Sequence, residues 1–118
     1  MHKQLALALV VLYFIALTAF SLINLGDIPN LGSSFDDKIY HFVAYAMFTL
    51  LLYNYLNAVP IKSSIFYTIL IATGYGILME VLQNLITESR VSDIYDIMAN
   101  FFGIIFGAIT ISIYKKLK

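Results

Sequence analysis

The stretch Ser63–Ile86, SSIFYTILIATGYGILMEVLQNLI, decides the fold. It carries one charged side chain, Glu80, in a run long enough to cross a hydrocarbon core of about 30 Å at roughly 1.5 Å of rise per helical residue. Runs of the same kind lie on either side of it. Together they predict spans at about 5–25, 38–57, 63–86 and 94–114. The whole chain agrees: of 118 residues, 61% are hydrophobic and only 12% charged, and its mean hydropathy is +0.87. A water-soluble domain of this length would need far more polar residues to cover its surface. The expectation is an all-α integral membrane four-helix bundle, with residues 1–118 forming a single transmembrane domain.

The same composition excludes several classes of function. There is no cysteine, so disulfides and thiolate metal sites are ruled out. The formal net charge is zero, which argues against nucleic-acid binding. No Gly-rich phosphate loop, repeat or low-complexity segment is present, and no cofactor is identified. The basic start and apolar run of MHKQLALALVVLYFIALTAF resemble a secretory signal, but the run is too long and lacks a small-x-small cleavage site. It reads as a retained first span.

Charge sets the expected orientation. With four spans, Lys3, Lys62, Lys115, Lys116 and Lys118 share one face, which the positive-inside rule makes cytoplasmic. Lys38 and Arg90 fall on the other side. Both termini are therefore expected in the cytoplasm. All seven acidic residues, Asp27, Asp36, Asp37, Glu80, Glu88, Asp93 and Asp96, lie in the outer half. Any chemistry belongs there.

The outer polar residues fall into stripes at helical spacing. Asp37, His41 and Tyr45 stand at i, i+4, i+8 on span two, with Lys38 beside them. Asp93, Asp96 and Asn100 stand at i, i+3, i+7 on span four, and Gly76, Glu80, Gln83 and Thr87 line span three. Because spans two and four enter from outside and span three leaves toward it, the stripes overlap in depth. Glu80 lies six residues below Ile86, or roughly 9 Å. One outward-facing pocket lined by three helices is the economical reading, since intramembrane ionisable groups usually face a bundle interior and a partner. Simpler roles compete. Asp36, Asp37, Ser92 and Asp93 suit helix capping, and Arg90 suits the C-terminal carbonyls of span three or a solvated pairing with Glu88. His41, Gln83 and Asn100 suit interhelical hydrogen bonding, while Gly103 and Gly107 form an ordinary GxxxG packing motif. Tyr45 divides evenly between pocket and packing. Glu80 and Asp96 resist such readings best. Glu80 sits where the helix dipole disfavours an anion, and its structural alternative is a buried pair with Lys38, Arg90 or His41, or a protonated carboxyl.

The ordered string is Asp37-Lys38-x-x-His41-Phe-x-x-Tyr45, then Glu80-x-x-Gln83, then Arg90-x-Ser92-Asp93-x-x-Asp96-x-x-x-Asn100-x-x-Gly103-x-x-x-Gly107. It resembles the VanZ-like family of small bacterial membrane proteins, named after a teicoplanin-resistance protein. The resemblance implies a link to low-level glycopeptide resistance without remodelling of the cell-wall precursor, and it marks Asp37, Lys38, His41, Tyr45, Glu80, Gln83, Arg90, Ser92, Asp93, Asp96 and Asn100 as the positions to watch.

Three functions are compatible with these residues. The first is a pocket that binds or modifies a polar headgroup, a lipid-linked envelope intermediate or a lipoglycopeptide, with Lys38 and Arg90 facing anionic groups. The second is a membrane-embedded hydrolase or transferase using Glu80, His41 and Asp96, with or without a metal held by nitrogen and oxygen donors. The third is a scaffold or assembly partner. The lipid bilayer is the one partner the sequence names; oligomeric state and any protein partner are not legible in it.

Overall fold

The computed structural model describes residues 3–22, 35–59, 62–86 and 94–117 and is all-helical among them. The helices are α1 (Lys3–Leu22), α2 (Phe35–Ala58), α3 (Ser64–Ile86) and α4 (Ile94–Leu117). Each is long and apolar enough to cross a membrane. The longest dimension of the molecule is 43 Å, close to the roughly 40–45 Å of a bilayer with its headgroup layers. The surface is that of a lipid-facing protein. Leu12, Phe20, Phe66 and Phe102 are all more than half exposed, an arrangement that hydrocarbon tolerates and water penalises.

Helix ends differ from the expected spans for local reasons. α2 begins at Phe35, so Asp36 and Asp37 fall in its first turn, where the positive end of the helix dipole favours acids; their side chains lie outside the description. α4 continues to Leu117 and takes Lys115 and Lys116 into its last turn, the end that favours cations. Residues 23–25 of the first expected span lie outside the described residues. At the start of α3, Ser63 adopts a left-handed φ of 60°. Its carbonyl accepts the Tyr67 N–H at 3.2 Å, and the Ser64 hydroxyl donates to the Leu56 carbonyl at 3.3 Å.

α2 and α4 run parallel and make the tightest contact of the bundle. A methyl group on Gly103 would collide with the Phe42 carbonyl oxygen, and one on Gly107 would stand 3.0 Å from Thr49 Cβ and Cγ2. The GxxxG motif therefore lets two backbones touch, the usual means of helix association where lipid removes the hydrophobic drive. Thr49 is fully buried, and its hydroxyl donates to the Tyr45 carbonyl at 2.7 Å. α3 packs against both helices and runs the other way. α1 closes the far side against α2 and α3, and among the described residues it makes no contact with α4. The Tyr13 hydroxyl donates to the Ala44 carbonyl at 2.6 Å, the Thr18 and Tyr75 hydroxyls are hydrogen-bonded, and the rings of Tyr13, Tyr45, Phe48 and Tyr75 form a connected aromatic core. Tyrosine suits such a core because its ring packs while its hydroxyl finds a partner.

Candidate functional site: a buried polar cluster beside an apolar groove

The polar cluster lies between α2, α3 and α4, at the end where α2 and α4 begin and α3 ends. α2 supplies Lys38 and His41, α3 supplies Glu80, and α4 supplies Asp96 and Asn100. Glu80 is 1% exposed, Asn100 3% and Asp96 7%. Lys38 Nζ lies 2.7 Å from Asp96 Oδ1. His41 Nδ1 lies 2.7 Å from Asn100 Oδ1, and His41 Nε2 lies 3.7 Å from Asp96 Oδ2. One ligand atom each from His41, Glu80 and Asp96 can be chosen so that all three lie within 4.8 Å of one another. Lys38 is the most open member, with its side chain 27% exposed against 10% for Asp96, so it lies at the edge of the cluster.

The local sequence explains this convergence. Gly103 sits three residues beyond Asn100, and the backbone it touches, Phe42, immediately follows His41. The close α2–α4 approach thus holds His41 against Asn100 and Lys38 against Asp96. Gly76 does the same for α3: a Cβ there would stand 3.2 Å from Tyr45 Cε2 and 3.3 Å from Asn100 Nδ2. Tyr45, 2% exposed, stacks among core rings and forms the floor of the cluster.

Below the polar cluster, an apolar groove of about 190 Å³ runs between α3 and α4, lined by Thr73, Gly76, Ile77, Ile97, Asn100, Phe101 and Ile104. Ile77 and Phe101 are over 40% exposed, so this groove opens sideways toward lipid. Two polar atoms in its lining residues, Thr73 Oγ1 and Asn100 Nδ2, are buried without a hydrogen-bond partner among the described residues. Asn100 belongs to both parts, with its oxygen on His41 and its amide nitrogen unpaired.

A family model described as VanZ/LLP1 matches residues 4–115. The chain belongs to the VanZ/LLP1 family. In this VanZ/LLP1 protein the matched region takes in all of α2 and α3, nearly all of α1 and α4, and therefore the whole polar cluster. No curated protein and no solved structure matches the chain.

Of the residues singled out by sequence, Lys38, His41, Glu80, Asp96 and Asn100 come together, and Tyr45 lies beneath them. The side chains of Asp37 and Gln83, and all of Arg90, Ser92 and Asp93, lie outside the described residues. The lysine offered by sequence to Glu80 sits against Asp96. Sequence reasoning missed the groove residues Thr73, Ile77, Ile97, Phe101 and Ile104. A signal existed for Thr73, which extends the Gly76–Glu80 stripe one turn inward at i−3. Aliphatic lining residues carry no such mark.

Proposed function

We propose that this protein binds an envelope amphiphile from within the membrane. The polar headgroup occupies the Lys38–His41–Glu80–Asp96–Asn100 cluster, and an acyl or prenyl chain lies along the α3–α4 groove. The observation that carries this reading is the continuity of the two halves through Asn100, a groove-lining residue whose oxygen serves the cluster and whose buried amide nitrogen has no hydrogen-bond partner among the described residues. Carboxylates accept hydrogen bonds from hydroxyl and amide groups, and Lys38 adds a donor at the edge, which suits a sugar- or peptide-bearing headgroup. Lipid-linked cell-wall intermediates and lipoglycopeptides such as teicoplanin combine such a head with a hydrocarbon chain, which connects the site to the resistance implied by the family resemblance.

The pocket opens to the outer side of the bacterial inner membrane, with both termini in the cytoplasm. Lys62, Lys115 and Lys116 at the far end of α3 and α4 support this orientation. The chain has no native cysteine, so Ser92→Cys tests it: a membrane-impermeant maleimide should label intact cells, and labelling only after lysis would reverse the orientation.

The binding reading is tested by native mass spectrometry of the detergent-extracted protein with the host's polar lipids. Wild type should retain a headgroup-bearing lipid, Glu80→Gln should lose it, and Thr73→Phe should lose it by filling the groove. Retention unchanged in both variants would refute the reading. A scaffold role predicts instead that Glu80→Gln lowers the amount of folded protein in the membrane.

A further inference from the structure

We propose that His41, Glu80 and Asp96 form a three-donor site for a divalent transition-metal ion, with a coordination position left open toward Lys38. Asn100 Oδ1 is an acceptor, so the 2.7 Å contact makes His41 Nδ1 the donor. A ring held this way places Nε2 on the side of Asp96 Oδ2. At 3.7 Å that pair is too far apart for a hydrogen bond. It does fit two donors on one ion: metal–nitrogen and metal–oxygen bonds of about 2.1 Å in tetrahedral geometry set neighbouring donors about 3.4 Å apart. Glu80, from the third helix, supplies the remaining donor, and one ligand atom from each of the three residues lies within 4.8 Å of the others. Loading draws the set together by at most about 1.4 Å.

Two neighbours hold the donors in place. Asn100 fixes the histidine tautomer and ring plane, the role usually taken by a carbonyl or carboxylate behind a metal-bound histidine. Lys38 holds the second oxygen of Asp96 at 2.7 Å, leaving Oδ2 for the ion. One imidazole and two carboxylates suit Zn²⁺ or Mn²⁺, and three protein donors with an open position are the pattern of reactive sites, whereas closed four-donor sites are structural.

The ion would also change the charge of the site. Counted over Lys38, Glu80 and Asp96 with both carboxyl groups ionised, the formal charge is −1. A divalent ion brings the described cluster from −1 to +1, which changes its preferred ligand from a cation to an anion. Toward the amphiphile proposed above, and resting on that reading, the loaded site selects a phosphate- or pyrophosphate-bearing headgroup, with the ion on a phosphoryl oxygen and Lys38 beside it.

The ion is tested apart from the lipid, on detergent-purified protein washed free of lipid. Dialysis against Zn²⁺ or Mn²⁺ followed by elemental analysis should give one ion per chain. Asn100→Leu should weaken binding about 10- to 100-fold, and His41→Asn and Glu80→Gln should abolish it. Pulsed EPR of the Mn²⁺-loaded wild type should show one directly bonded nitrogen, a readout that needs no variant to fold. Binding of neither ion, binding undisturbed by Glu80→Gln, or no bonded nitrogen would overturn the metal site. Metal binding without lipid retention would instead sink the amphiphile reading and leave the ion standing.

Discussion

Gly103→Ala places the smallest possible side chain at the tightest point of the bundle. Two effects oppose each other. Alanine favours a helix over glycine by about 1 kcal/mol. Against this, the new methyl meets the Phe42 carbonyl oxygen, with Phe42 C at 3.0 Å and Ala46 N at 3.2 Å behind it. These are backbone atoms, and no rotamer change removes them. The overpacking penalty therefore falls at the upper end of roughly 1–3 kcal/mol, leaving a net loss of about 2 kcal/mol and a folded-to-unfolded ratio lower by about 30-fold. The assay is equilibrium unfolding in mixed micelles, followed by circular dichroism. Gly74→Ala is the internal control: nothing lies within 4 Å of a Cβ there, so it should be stabilised by roughly 0.5–1 kcal/mol. Gly107→Ala, facing the Thr49 side chain at 3.0 Å, should fall between the two. Equal stabilisation of Gly103→Ala and Gly74→Ala would refute the claim that backbone contact at Gly103 sets the α2–α4 approach, and with it the account of how His41 reaches Asn100.

Lys38→Met should destabilise by about 3 kcal/mol, the low end for breaking a buried pair because Lys38 reaches the surface, and adding Asp96→Asn should recover most of the loss; a double-mutant cycle in micelles measures the coupling. Tyr75→Phe removes the hydrogen bond to Thr18 and should cost about 1 kcal/mol in the same micelle assay, with Thr18→Val costing somewhat more because the Thr18 hydroxyl also donates to the Phe14 carbonyl at 2.8 Å. Ser63→Gly relieves the left-handed φ of 60° and should stabilise by about 0.5–1 kcal/mol after the entropy of glycine is subtracted; a lowered melting temperature would contradict it.

Much of this architecture was legible because hydrocarbon imposes a blunt rule: apolar runs of bilayer length become helices. The stripes of His41, Glu80 and Asp96 were legible for a related reason, since a charge in such a run has few places to go except inward. Pairings were harder to read. Lys38 was equally available to Glu80 by sequence, and its place at Asp96 depends on the parallel approach of α2 and α4. That approach is set by Gly103 and Gly107, residues whose motif is too common in membranes to announce a functional consequence. Asn100 and His41 also show that packing and function were false alternatives: one hydrogen bond joins two helices and orients a candidate donor. The groove was illegible because aliphatic side chains facing a cavity and those facing lipid look alike in sequence.

The most direct test of the two-part site is photo-crosslinking with a phosphate-headgroup lipid carrying a diazirine in its acyl chain, mapped by peptide sequencing in reconstituted vesicles. Labels should concentrate at the groove residues Ile77, Ile97, Phe101 and Ile104 and fall away in Glu80→Gln, because the headgroup anchors the chain. Labels spread over exposed faces such as Phe66 and Phe20, at a level that Glu80→Gln leaves unchanged, would contradict it.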